Sequence, residues 1–131
     1  MDISILKKLK LDKHNNVAIL NAPDEFTDVL KHFKGSVDKK IKGKYSYVQV
    51  FITSQSEFVN LGESLSNAIE GDGILWVCYP KGTSKKYKKV DCNRDTLREA
   101  IISHGFEGVS MISLDDDWSA MRFRNSKFVG K

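Results

Sequence analysis

The chain has 131 residues, 40% of them apolar and 29% charged, with a formal net charge of +4. That length is one domain's worth and buries enough surface to fold without a metal or a disulfide. No apolar run approaches the roughly 18 residues of a membrane span, and the composition excludes collagen, coiled coil and long disorder.

The opening residues carry Lys7, Lys8 and Lys10 and no continuous apolar stretch, so they do not read as a secretory signal. Cys78 and Cys92 could form one bridge at most, and a cytoplasmic setting with both thiols reduced is expected. In chain order, Ile3, Leu6 and Leu9 recur at helical spacing behind Asp2, which predicts a helix over 2–11 within an N-terminal segment 1–13. Asn15-Asn16 marks a turn, and Val17-Ala18-Ile19-Leu20 reads as a buried strand. Pro23 opens a helix with Asp24 and Glu25 in its first turn. Phe26, Val29, Leu30 and Phe33 line its inner face, and Gly35 ends it. The lysine-rich stretch 36–44 reads as a polar connection.

Tyr47 to Ile52 is β-branched and aromatic, a second strand within 46–53. Ser54 and Glu57 fit a capping box for a helix whose inward residues are Phe58, Leu61, Leu65, Ala68 and Ile69. Glu70 to Gly73 breaks that helix, and Ile74 to Tyr79, the most apolar run, reads as a central strand stopped by Pro80. Lys81 to Val90 has loop character. Asn93 caps a helix with Leu97, Ala100, Ile101 and His104 inward, ended by Gly105. Val109 to Leu114 and Trp118 to Arg124 are the last two strands, turned by Asp115-Asp116-Asp117, and the tail 125–131 is expected to fray.

Strands alternating with helices imply parallel pairing through right-handed crossovers. The final pair has too short a link for a crossover and must be an antiparallel hairpin. The expected fold is therefore a single α/β domain, a three-layer open sheet of five strands, mostly parallel and Rossmann- or flavodoxin-like. The expected strand order is 2-1-3-4-5, with the fifth strand antiparallel at an edge.

Leu75-Trp76 with Tyr79-Pro80-Lys81, Asp91 with Asn93-Arg94-Asp95, and Trp118-Ser119-Ala120 with Arg122-Phe123-Arg124 make a spaced pattern concentrated in residues 74–124. In that pattern the chain resembles an uncharacterised bacterial family of short cytoplasmic α/β proteins. The resemblance implies a small bacterial α/β domain and brings no activity, substrate or catalytic residue with it.

In such a sheet ligands bind outside the carboxyl ends of the strands, at the switch point. Under the expected order that crevice is walled by Asn21-Ala22-Pro23 and the loop from Pro80 to Asp91. Each helix start that follows a strand carries an acid, and no G-x-G-x-x-G or Walker pattern is present, which argues against a phosphate-bearing cofactor. Lys81, Asn93, Arg94 and Trp118 are the candidate ligand-binding residues, and Arg94 is expected to pair with the turn Asp115, Asp116, Asp117 because a cation at a helix start needs compensation. Three consecutive aspartates could hold a divalent cation, but mixed charges this close favour pairing, so no metal site is expected. Cys92, just before a helix start, has the position of a lowered thiol pKa. His14, His32 and His104 lie at the opposite edge, so no Cys–His or Ser–His pair forms and no catalytic residue is assigned.

Lysines cluster at 7–13, 31–44 and 81–89, on opposite edges of the sheet, and do not make one nucleic-acid stripe. By elimination the sequence reads as a cytoplasmic interaction or regulatory domain without catalytic activity, cofactor, membrane contact or specific nucleic acid. A protein partner fits that reading. The alternative is a binding module for a small acidic ligand at the carboxyl edge, and the third reading is an enzyme with an unrecognised site.

Overall fold

The computed structural model describes residues 1–130, so Lys131, the end of the tail expected to fray, lies outside the described residues. Six strands and four α-helices alternate: α1 (Ile5–Lys8), β1 (Asn16–Leu20), α2 (Asp24–Leu30), β2 (Ser36–Asp38), β3 (Tyr45–Phe51), α3 (Gln55–Ala68), β4 (Ile69–Pro80), α4 (Arg94–Ile102), β5 (Phe106–Ser113) and β6 (Trp118–Asn125). Short 3-10 turns follow α1 at Leu11–Lys13 and β6 at Ser126–Phe128. The strands form one sheet in the order β2-β1-β3-β4-β6-β5. β1, β2, β3 and β4 run parallel, and β6 is antiparallel to both β4 and β5. The expected three-layer α/β sheet, its parallel centre and its C-terminal hairpin are therefore present.

The strand order differs from expectation in two ways. First, β3 lies between β1 and β4, so the strand at 45–51 is central rather than peripheral. Its residues explain this: Tyr45, Tyr47, Val48, Gln49, Val50 and Phe51 are all buried, which only a strand covered on both faces allows. The edge beyond β1 is taken instead by β2, read from sequence as a connection because Ser36-Val37-Asp38 has one apolar residue in three. Gly35 lets it dock, since a Cβ there would collide with the Asn15 carbonyl that accepts Ser36 N–H at 2.7 Å. Second, β6 is not the edge. It inserts between β4 and β5, burying Trp118, Ala120, Met121 and Phe123, while Val109 and Met111 on β5 stay 40% and 46% exposed.

Two apolar cores sandwich the sheet. One face packs α3 and α4 through Phe58, Leu65, Leu97 and Ile101 against Val48, Val50, Leu75 and Val77. The other packs α1 and α2 through Ile5, Leu9, Phe26 and Val29 against Ile19, Tyr47, Phe51 and Trp76. The N-terminal segment is pinned by Trp76, whose indole N–H donates to the Leu9 carbonyl at 3.0 Å. A buried polar chain crosses this second layer: Tyr47 OH donates to Gln49 Oε1 at 2.6 Å, and Gln49 Nε2 to Cys78 Sγ at 3.4 Å. Burial holds the Cys78 thiol protonated by pushing its pKa up.

Helix ends follow local chemistry. Ser54 Oγ accepts from Glu57 N–H at 3.2 Å, while Glu57 Oε1 turns back to Thr53 rather than to Ser54 N–H. Asn93 caps α4 by accepting from Asp95 and Thr96 N–H, and Thr96 Oγ1 accepts in return from Asn93 N–H. Since Leu75 is 0% exposed at the centre of β4, Leu75→Ala should cost about 2–5 kcal/mol, read as a lowered urea midpoint. A loss of under about 1 kcal/mol would place β4 outside the core.

Candidate functional site

β1 is followed by β2 on one side and, after a return, by β3 on the other. The strand order therefore reverses between β1 and β3, which is the switch point. The helices agree: α2 packs on one face, α3 and α4 on the other. In a sheet of this kind the ligand side is flanked by the segments that follow those strands, here Asn21 to Glu25 after β1 and Ile52 to Ser54 after β3. The first wall is the one expected from sequence, and the second has moved one strand over because β3 is central.

The loop after β4, expected to form a wall, folds across this edge as a strap. Ser84 organises it: its hydroxyl donates to Asp117 Oδ1 at 2.7 Å and accepts from the N–H groups of Lys86 at 3.2 Å and Tyr87 at 3.0 Å. The strap then reaches α2. Glu25 Oε2 accepts from Lys86 Nζ at 3.2 Å, Tyr87 OH at 3.3 Å and Trp118 Nε1 at 3.2 Å. An aromatic column backs this point: Phe26 tilts on Phe51 at 5.0 Å, Phe51 meets Trp118 edge-on at 5.1 Å, and Trp118 meets Tyr87 at 4.8 Å. Burial pushes the Glu25 carboxyl up, but its own N–H with the Trp118 and Lys86 donors outweighs burial, and the net shift is downward.

The residues singled out in the sequence fall into three groups. Trp118 is 2% exposed and takes part in the column, so its face is packed rather than offered to solvent. Lys81 donates from its backbone to the Asp117 carbonyl at 2.8 Å and from Nζ to Ser113 Oγ at 2.6 Å, fixing the strap to the hairpin. With Thr83, Lys85, Lys86, Asp116 and Asp117 it lines a cavity of about 540 Å³. Asn93 is committed to its cap and borders a second cavity of about 410 Å³. Arg94 finds Asp95 at 4.0 Å, both exposed, rather than the turn expected for it. The aspartates of that turn have closer partners: Asp115 Oδ1 accepts from the N–H groups of Asp117 and Trp118, each at 2.8 Å, and Asp117 is held by Ser84. Among the described residues no group of three or more His, Cys, Asp or Glu is placed to hold a metal.

Cys92 departs from its expected chemistry. It is 6% exposed, and burial first, then the Asp91 carboxylate, push its thiol up to about 11. Desolvation outweighs any help from the helix start, so it is a packing residue at neutral pH. His14 and His32 lie at the amino edge and line a separate cavity of about 440 Å³ with Asp12 and Asn15. Glu25 is the site residue that sequence reasoning missed. Its only local signal was an acid in a helix's first turn, which the helix dipole explains unaided; its partners lie 61 to 93 positions away.

No protein-family profile and no curated protein matches the chain. Solved structures do share its fold. The N-methyltransferase NodS from Bradyrhizobium japonicum superposes with a TM-score of 0.60 at 11% identity, over 94% of this chain and 93% of that one. NodS has also been solved in complex with S-adenosyl-l-homocysteine. An S-adenosylmethionine-dependent methyltransferase from Clostridium acetobutylicum matches with a TM-score of 0.60 at 6% identity, over 92% of this chain and 88% of that one. A methyltransferase from Pyrococcus furiosus matches with a TM-score of 0.57 at 12% identity, over 94% and 82%. At these identities the likeness shows the fold.

These matches correct the sequence reading. The pattern in residues 74–124 pointed to an uncharacterised family, whereas the structural neighbours are named methyltransferases. Against the reading of a regulatory domain without catalytic activity, the solved structures that share this fold are methyltransferases. No helix of the described residues is long and apolar enough to cross a membrane.

The Glu25 cluster makes a titration prediction. A carboxyl with a depressed folded pKa stabilises fully above its ordinary value of 4.5 and loses that contribution as pH falls through the lower folded value. Carboxyl-carbon NMR should give Glu25 a midpoint below 4.5, moved upward by Lys86→Ala, which removes one of the groups that lower it. A midpoint at or above 4.5 in the wild type would contradict the cluster.

Proposed function

We propose that the chain is a methyltransferase domain that binds S-adenosylmethionine outside the carboxyl ends of β1 and β3. The observation that carries this is the sheet itself. Its switch point lies between β1 and β3, β6 is inserted antiparallel before the edge, and the fold is shared with methyltransferases over more than nine-tenths of the chain.

The residues at the crevice fit the group. A phosphate-bearing cofactor needs a glycine turn and free N–H groups, and here the turn Asn21-Ala22-Pro23-Asp24-Glu25 has neither glycine nor positive charge. S-adenosylmethionine has no phosphate. It is a sulfonium cation bearing an ammonium, and two carboxylates in the turn attract it. Asp38 ends β2, 18 residues after β1 ends at Leu20, near the place where nucleoside-binding α/β folds keep a carboxylate for ribose hydroxyls. Its Oδ2 accepts from Tyr45 OH at 2.6 Å, which fixes the carboxylate's orientation, and Tyr45 OH in turn accepts from Lys42 N–H at 3.1 Å. Asp38 would hold the ribose, and Asp24 would face the cationic end. When bound, the cofactor supplies an electrophilic methyl group. The chain's part is to orient it and, through the strap, to keep water from the crevice.

The test is equilibrium binding. S-adenosylhomocysteine should bind the purified chain with a Kd of about 1–100 μM by calorimetry. Asp38→Ala should weaken it about tenfold to a hundredfold, the loss of a hydrogen bond to a charged group. No heat of binding up to about 1 mM ligand, with the chain folded, would overturn the proposal.

A further inference from the structure

We propose that Glu25, Tyr87 and Trp118 form a recognition site for an organic ammonium group, and that the Lys86 ammonium is its internal occupant. The inference does not depend on methyl transfer. It rests on how one carboxylate oxygen is satisfied.

Of the three donors on Glu25 Oε2, two are neutral. Trp118 Nε1 belongs to a side chain that is 2% exposed, and Tyr87 OH to a ring that meets it edge-on. They orient the carboxylate but cannot cancel its charge. The third donor is the Lys86 ammonium, which also lies 5.5 Å from the centroid of the Tyr87 ring, within cation–π range. A carboxylate, an aromatic face and two orienting donors around one ammonium make a chemistry selective for alkylammonium ions. A primary ammonium can replace Lys86 in kind, offering both the charge and the N–H, whereas a sulfonium offers only the charge.

The occupant is easily exchanged. The Lys86 side chain is 58% exposed against 19% for Glu25, and an exposed lysine holds such a pair weakly. Removing Lys86 vacates the place of its own butylammonium chain, and Glu25 borders further room. Glu25 also lines a cavity of about 350 Å³ with Met1, Ile3, Val29, Asp28 and His32. That lining offers three apolar side chains for a short alkyl tail and a second carboxylate, which Lys31 pairs with at 3.3 Å on the outside. Lys86 is thus a tethered competitor, present at an effective concentration in the millimolar range.

The test follows the indole N–H of Trp118 by NMR in the full chain, with Trp76, bonded to the Leu9 carbonyl, as an internal reference. In Lys86→Ala, n-butylammonium should shift the Trp118 signal saturably, with a Kd of about 1–10 mM. In the wild type the same titration should be about twofold weaker because Lys86 competes. The double variant Glu25→Gln/Lys86→Ala and the neutral isostere 1-butanol should give no saturable shift. The proposal is overturned if folded Lys86→Ala shows no saturation, if the double variant or 1-butanol matches it, or if trimethylsulfonium binds more tightly than n-butylammonium.

Discussion

A single oxygen of Glu25 ties together three stretches of chain that are far apart in sequence: the start of α2, the strap after β4 and the first residue of β6. Without it the strap between Pro80 and Asn93 would keep Ser84 and Lys81 as anchors on the hairpin but lose its contact with α2. The carboxylate is affordable there because it sits in a helix's first turn, where negative charge is favoured, and because its donors outweigh partial burial. Behind it, Phe26, Phe51, Trp118 and Tyr87 meet in turn through tilted and edge-on contacts, so the polar cluster rests on an apolar support.

The fold class was legible because its signals were local. Pro23, Ser54 and Asn93 announce helix starts, and the apolar runs at 17–20 and 74–79 can only be buried strands. Strand order was not legible in the same way, since it depends on which strand is buried on both faces. The hint was present: Trp118, Ala120, Met121 and Phe123 are a more buried set than Gly108, Val109 and Ser110, which places β6 inside and β5 at the edge. The three residues of β2 carry too little apolar area to be distinguished from a loop, and only Gly35 betrays the close approach.

The sequence reading looked for a site at the carboxyl edge, and the structure shows what its residues there bond to. Lys81 and Asn93 are there, each committed to structural bonds. Arg94 turns to its neighbour Asp95, and Trp118 faces inward. The acids that argued against a phosphate ligand are the same ones on which the proposed cationic, phosphate-free ligand relies. No nucleophile–base pair was read from the sequence, and the proposed reaction does not require one. Methyl transfer from an activated sulfonium needs none, since the electrophile arrives with the cofactor.

The central claim is that Glu25 holds the strap across the crevice. Amide hydrogen exchange of residues 82–91 tests it most directly. The account predicts that Glu25→Ala speeds exchange of those amides about tenfold, a loss of about 1.4 kcal/mol of local stability, while the amides of β4 keep their protection. Unchanged exchange across 82–91 in the variant would show that the strap is held without Glu25, by anchors such as Ser84, Lys81 and Asp91, and would contradict the claim.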